Sequence, residues 1–347
     1  MASRLRFRTK GHGSQRQVFP LRLGSSGHTR TGDGSTSSPS GLEYREIDRH
    51  AHWHRKSTSA GLPILQPNEK PVPLKSPPQP PFHYEGGKYR TRTKIVEKMP
   101  PHKTYVEPFA GAGNVLLAKP PAQKEVLADA DPKIMKVHKG LKAKADVWNM
   151  DPSREKWERI HNKPPSQRTA EEQAYLVGHS YGGKIEDKRQ NYHDSGKTGK
   201  FDTTKLHERE KDAIMLNKDF AQTMRMFDSP DTLHYLDPPY AKTDTRMYSY
   251  GGDSPGQEKV TPERVEKVAG TMDGKVMISY DNSAPVRRAF SKKPWKVTAY
   301  EVKRSMHRGG EGQKTTKEVL ITNYDIDKAR ASAPPFDEPR AKKELHT

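Results

Sequence analysis

Three short segments of this 347-residue chain place carboxylates, glycines and prolines where a folded chain can turn them on a ligand. In Tyr105-Val-Glu-Pro-Phe-Ala-Gly-Ala-Gly-Asn114 an apolar run enters a glycine-spaced turn and then, from Val115, a helix. Glycine at such a turn lets the backbone approach a bound molecule closely, because no Cβ holds it off. The same spacing also makes ordinary tight turns. The complete dinucleotide fingerprint needs a third glycine, and position 116 is Leu, which disfavours nicotinamide cofactors.

The second segment, Leu127-Ala-Asp-Ala-Asp131, ends the next apolar run with two aspartates. Asp131 precedes Pro132 and suits a helix N-cap, whereas Asp129 suits the paired hydroxyls of a ribose. The third is Tyr235-Leu-Asp-Pro-Pro-Tyr240. Two prolines can continue neither sheet nor helix, so they hold the Asp237 carboxylate on a stiff loop. As a bare tetrapeptide this is also a plain turn. Downstream of the other two segments, the reading as a functional carboxylate prevails.

These segments need strands that end together. Tyr105–Phe109, Val126–Asp129, Leu233–Asp237 and Val276–Tyr280 are short apolar runs of the kind buried in parallel sheets. Helical spacing follows in Ile134, Val137, His138 and Leu141, in Asp219-Phe220 through Phe227, and in Val265, Val268 and Ala269. Alternating strand and helix predict an open α/β sheet. Val297–Val302 and Glu318–Tyr324, joined by a basic glycine-containing turn, predict an antiparallel hairpin.

Composition bounds the rest. Lys and Arg number 62 against 43 Asp and Glu, a formal charge of +19, which suits a polyanionic partner such as nucleic acid. Hydrophobic residues make up 31% of the chain, well below the roughly 45–50% of globular proteins, so part of it is expected to lie outside a core. Cysteine is absent, which excludes disulfides and thiolate metal sites. No histidine spacing suggests a metal ligand set, no apolar run suggests a membrane span, and the N-terminus lacks a secretory pattern. Residues 1–80, with eight prolines between Pro63 and Pro81, are expected to be disordered and extended. The polar stretch 151–209, with Lys and Arg interleaved among Tyr175, Tyr181, Tyr192 and Phe201, is expected to be a small subdomain inserted into a domain spanning 81–330, with 331–347 a frayed tail. A soluble cytoplasmic location is expected, with an organelle transit peptide as the alternative.

The motifs, taken in order, resemble the Dam-type DNA adenine-N6 methyltransferase family. The resemblance runs from Tyr84-Glu-Gly-Gly-Lys-Tyr89 through Glu107–Asn114, Asp129, Lys218-Asp-Phe220 and Asp237-Pro-Pro-Tyr240 to Glu318-Val-Leu-Ile-Thr-Asn-Tyr324. Tyr181-Gly-Gly183 is similar to an aromatic-Asn-Gly turn of the family's recognition subdomain, with Gly182 in the Asn position. The resemblance implies a Rossmann-like S-adenosylmethionine-dependent sheet with a C-terminal antiparallel hairpin and an inserted recognition subdomain. It implies methyl transfer to N6 of an adenine flipped out of double-stranded DNA, with no metal. Asp237, Pro238, Pro239 and Tyr240 would be catalytic. Tyr84, Lys88, Glu107, Phe109, Gly111, Gly113, Asp129, Asp219, Phe220 and Asp237 would hold the cofactor, Lys88 at its carboxylate and Asp219 and Phe220 about its adenine. Tyr181, Lys184, Lys188, Arg189, Lys197, Arg304 and Arg308 would contact DNA. The alternatives are a cytosine-N4 or RNA amino methyltransferase, and an inactive nucleic-acid-binding protein of the same fold.

Overall fold

The computed structural model describes residues 63–83, 86–180, 192–194, 198–240, 259–303 and 315–331. Numbered along the chain, the elements open with α1 (Arg92–Val96), β1 (Thr104–Glu107), α2 (Asn114–Ala118), β2 (Lys124–Asp129) and α3 (Pro132–Ala143). Next come β3 (Val147–Asn149), α4 (Arg154–His161), α5 (Ala170–Gly178), β4 (Lys200–Asp202), α6 (Thr204–Glu210) and β5 (Ile214–Asn217). The chain continues through α7 (Phe220–Met226), β6 (Thr232–Leu236), α8 (Pro262–Ala269), β7 (Lys275–Asp281) and α9 (Ala284–Ala289). It closes with β8 (Lys296–Lys303), β9 (Thr315–Thr322) and α10 (Ile326–Ala331).

Seven strands form one sheet in the order β5-β2-β1-β6-β7-β9-β8. The first five are parallel, while β9 runs antiparallel to both β7 and β8. The expected Rossmann-like sheet with its C-terminal hairpin is therefore what the chain forms. Winding proceeds from β1 to β2 to β5 and then returns across β1 to β6, so the direction reverses between β1 and β6. In open parallel sheets, the crevice beyond the carboxyl ends at such a reversal is where ligands bind.

Successive side chains of each central strand point to opposite faces of the sheet, and both faces are buried. On one face Leu233, Tyr235, Met277 and Leu320 join Val137 and Leu141 of α3 in one apolar layer. On the other, Leu236, Val276, Ile278, Val319 and Ile321 meet Phe220 and Met224 of α7, Val265 of α8 and Val286 of α9. A one-residue slip would exchange these sets, so the register that places Glu107 and Asp237 is held by burial on both faces.

Two expectations about organisation are corrected. The segment 63–80, expected to be disordered, lies along the domain: Leu65 N–H donates to the Pro121 carbonyl at 2.8 Å and Leu74 N–H to Ala118 at 2.9 Å. Arg92 donates to the Pro78 carbonyl at 3.1 Å, and Ile64, Leu65 and Phe82 are buried. Proline-rich chain can pack this way because it has few N–H groups needing partners. Residues 1–62 and 332–347 lie outside the described residues.

The stretch 151–209 was expected to stand apart, yet its helices share the main core. Trp157, Ile160, Tyr175, Leu176 and Leu206 belong to the same apolar cluster as Val137 and Leu141. Gly140 makes this possible: a Cβ there would sit 2.2 Å from the Ala170 Cβ, so only glycine admits α5 this close to α3. A two-stranded ribbon of β3 and β4 closes the base of the stretch. α6 is its exit, and also the crossover helix that leads to β5.

Candidate active site

The glycine turn begins where β1 ends. Gly111 and Gly113 adopt left-handed φ values of 46° and 66°, which only glycine takes without strain. The turn folds back on the end of β2, with Ala110 N–H donating to the Ala128 carbonyl at 2.9 Å. Gly111 N–H donates to Asp129 Oδ2 at 3.0 Å, and Asp131 N–H to Asp129 Oδ1 at 2.9 Å. Asp131 caps α3 by accepting from Lys133 N–H at 2.8 Å. Asp131 thus caps a helix, as its place before Pro132 predicts, while Asp129 holds the turn. Burial pushes the Asp129 carboxyl up to about 6 even though both backbone N–H groups oppose the shift.

Glu107 closes β1 and is buried. Its Oε2 accepts from the Tyr105 hydroxyl at 2.9 Å and from Leu116 N–H, on the first turn of α2, at 3.0 Å. Burial raises its carboxyl to about 8 against these two hydrogen bonds. Glu107 is therefore protonated at neutral pH and ties the strand to the helix across the glycine turn.

Asp237 follows β6, the strand hydrogen-bonded to β1. The distance in sequence between the first and third segments collapses here to neighbouring strand ends. Lys88 Nζ donates to Asp237 Oδ1 at 2.6 Å and to the Gly86 carbonyl at 2.8 Å, and lies 4.9 Å from the centre of the Tyr240 ring. Lys88 is almost wholly buried. Burial raises the Asp237 carboxyl to about 6; the Lys88 charge and hydrogen bond pull it down, and the Glu318 charge adds to the rise. Glu318, on β9, accepts from the Tyr300 hydroxyl at 3.0 Å. Lys88, expected at the carboxylate of a bound cofactor, here meets the carboxylate of the protein's own stiff loop. The signal for this was out of reach, since 149 residues separate the pair.

Asp219 and Phe220 are engaged with protein. Asp219 caps α7, accepting from Ala221 N–H at 2.9 Å, and pairs with Arg264 at 3.0 Å. Phe220 is 1% exposed, stacked on Phe109 with ring centres 5.1 Å apart and with the Arg264 guanidinium 4.6 Å from its centre. Here they form a helix cap and a core aromatic. Phe109 correspondingly packs at the edge of the apolar layer below α7. Tyr84, Tyr181, Lys184, Lys188, Arg189, Lys197, Arg304 and Arg308 lie outside the described residues.

Sequence reasoning missed His138. It sits in the buried stripe of α3, with Nε2 2.9 Å from the Gly111 carbonyl and Nδ1 3.1 Å from Glu210 Oε2. A polar residue within an apolar stripe was the available signal. Glu210 at the end of α6 had none. Among the described residues no cluster of His, Asp or Glu is arranged to hold a metal ion, and no helix is long and apolar enough to cross a membrane.

The family model for D12 class N6 adenine-specific DNA methyltransferases matches residues 84–194 and 186–307, segments that take in the glycine turn, Asp129 and the Asp237 loop. The chain belongs to this family. As a D12-class protein it is a methyltransferase. No curated protein is significantly similar to it. Among solved structures, one of a "putative RNA methyltransferase" from Pyrococcus horikoshii is 12% identical, covering 64% of this chain and 74% of that one at a TM-score of 0.28. A likeness that weak carries no argument about either fold or substrate.

The D12-class crevice fits S-adenosylmethionine on its own features. Two left-handed glycines open the turn, a carboxyl group ends each of β1 and β2, and the Asn114 side-chain oxygen is buried at the start of α2 without a hydrogen-bond partner. Their hydrogen-bonding chemistry matches that of an amino acid moiety and a ribose.

Proposed function

We propose that the protein transfers a methyl group from S-adenosylmethionine to N6 of an adenine flipped out of double-stranded DNA. The observation that carries this reading is the position of Asp237. A carboxylate on a two-proline loop stands at the end of β6, beside the glycine turn after β1, where the sheet reverses its winding.

S-adenosylmethionine, when bound, supplies an electrophilic methyl on a sulfonium sulfur. Glu107 through Gly113 would line its methionine portion and Asp129 its ribose, using carboxylate lone pairs beyond those the two backbone N–H groups occupy. An exocyclic amine is a poor nucleophile because its lone pair is delocalised into the ring. Asp237 and the Pro238 carbonyl accept hydrogen bonds from the two amino hydrogens and return electron density to nitrogen. Neither Pro238 nor Pro239 has an N–H, so no backbone donor at these positions competes for the amine. Holding Oδ1 on Lys88 orients the carboxylate plane before substrate arrives, and this preorganisation lowers the barrier. Tyr240 stacks on the base. With its carboxyl near pH 6, Asp237 is also the nearest acceptor for the proton that the methylated nitrogen sheds.

A base paired inside a duplex must leave the stack, at about a few kcal/mol. The excess of Lys and Arg supplies phosphate contacts that offset this and make affinity fall with salt. The protein would act in a prokaryotic or phage-infected cytoplasm, where such DNA lies. The test is incubation with methyl-labelled S-adenosylmethionine and mixed DNA and RNA, followed by digestion to nucleosides. Label in N6-methyladenine from DNA, lost in Asp237→Asn, is the expected result. Label in N4-methylcytosine or in RNA nucleosides, or DNA binding with no label, overturns the proposal.

A further inference from the structure

We propose that His138, held by Glu210, is a positioning residue for methyl-donor binding: it clamps the Gly111 carbonyl and thereby sets the shape of the glycine turn. The inference rests on the reading of that turn as the S-adenosylmethionine site.

Gly111 is gripped at both of its peptide groups. Its N–H donates to Asp129 at 3.0 Å, and its carbonyl accepts from His138 Nε2 at 2.9 Å. With φ at 46° and no side chain, Gly111 has no packing of its own to fix it, so these two hydrogen bonds decide its orientation. The other ring nitrogen, Nδ1, lies 3.1 and 3.2 Å from the two Glu210 oxygens. Both partners, a carbonyl and a carboxylate, are acceptors only. A neutral imidazole has a single N–H, so satisfying both contacts requires the imidazolium. His138 and Glu210 are buried, at 2% and 0% exposed, which removes water as a substitute partner.

The ring also packs against the turn. A Cβ at Gly113 would come within 3.1 Å of His138 Cε1, so the imidazole is the wall against which the second glycine rests. The titratable groups that face it are Glu210 from α6, Asp129 from β2 and Glu107 from β1. Burial disfavours the charge, but the Glu210 charge and hydrogen bond, the Gly111 carbonyl and Asp129 outweigh it and raise the imidazolium to about 9. Glu107 stays neutral up to about pH 8. The clamp is therefore intact across the neutral range and opens in alkali, when the ring loses one of its two N–H donors.

The experiment uses the full chain and S-adenosylhomocysteine, which carries no transferable methyl. NMR titration of the His138 imidazole in the ligand-free protein is paired with calorimetric affinity from pH 6.5 to 10. In the wild type, His138 is expected to titrate near 9, with affinity falling as the proton leaves. Glu210→Gln keeps an acceptor but removes the charge, so the imidazole titration and the break in affinity should move together to lower pH. His138→Ala should weaken binding about tenfold at pH 7.5. His138→Gln, which still offers a donor to Gly111, should recover part of that loss, with cooperative thermal unfolding confirming that each variant folds. If His138→Ala does not fold, the wild-type and Glu210→Gln profiles decide. Affinity that stays flat through the imidazole titration, or an imidazole titrating at or below its ordinary value, overturns the inference alone. A wild type that binds no S-adenosylhomocysteine at any pH overturns the donor-site reading and the inference with it.

Discussion

Lys88 and Asp237 meet at 2.6 Å across 149 residues of chain, the ammonium almost wholly buried and the carboxylate 18% exposed. The pair joins the segment before α1 to the loop after β6, and it places a positive charge on one oxygen of the carboxylate proposed to accept from the substrate amine. A fixed counter-charge keeps that carboxylate ionised in a site whose burial works against ionisation.

The first expected outcome is a pH profile. With the Asp237 carboxyl near 6, kcat/KM for methyl transfer should be level above that pH and fall about tenfold per unit below it, as the acceptor becomes protonated. Lys88→Met removes the opposing charge, so burial and Glu318 act unchecked and the falling limb moves to higher pH. Rate measurements between pH 5 and 8 on both proteins check this. A limb that stays in place in the variant removes Lys88 from control of the acceptor.

Gly113→Ala should be costly even before any ligand is bound. The alanine must hold a φ of 66°, and its Cβ would lie 3.1 Å from the His138 ring. The conformational part alone costs about 1–2 kcal/mol. Urea unfolding should show that loss, and donor affinity should fall with it because the ring behind the turn is pushed aside.

Glu107→Gln tests the protonated carboxyl. Glutamine has the shape of the neutral acid and can accept from Tyr105 and Leu116 in its place. Because the native carboxyl is held near 8 against an ordinary 4.5, the folded wild type binds the extra proton across that interval and loses stability as pH rises through it. The variant should lack this slope. Urea midpoints of the two proteins at pH 5 and pH 8 measure the difference, and parallel curves contradict it.

Glu125 gives the opposite sign. At the start of β2 it accepts from Lys119 at 2.7 Å and from both terminal guanidinium nitrogens of Arg209. Burial raises its carboxyl, but Arg209 and Lys119 together bring it down to about 2. Its contribution to stability is complete above the ordinary value of 4.5 and is lost as pH falls from there toward 2. Glu125→Gln strands two buried cations and should cost about 3–5 kcal/mol near neutrality. Replacing all three by apolar residues of similar volume should recover most of it, as measured by denaturant unfolding.

What the sequence disclosed was local. The glycine turn, the two aspartates after β2 and the two-proline loop are each contiguous, and each has a backbone reason to lie at a strand end. Their convergence followed once parallel strands were inferred. β5 escaped notice because its four residues form a half-exposed edge, with no long apolar run to mark it. Lys88–Asp237 and His138–Glu210 escaped for another reason: a contact across 149 or 72 residues leaves no spacing to read. Residues 63–80 are packed on the domain although their proline content alone predicts disorder. Their apolar members are sparse but are placed where α2 needs a cover.

That cover sets where the enzyme can be shortened. Leu74 donates to the last residue of α2, and Leu65 to the loop just beyond it. A version trimmed at residue 81 would bare the far end of the helix that frames the crevice, whereas one trimmed at residue 62 keeps the strap. The catalytic unit is thus longer at its N-terminal side than its first recognisable motif.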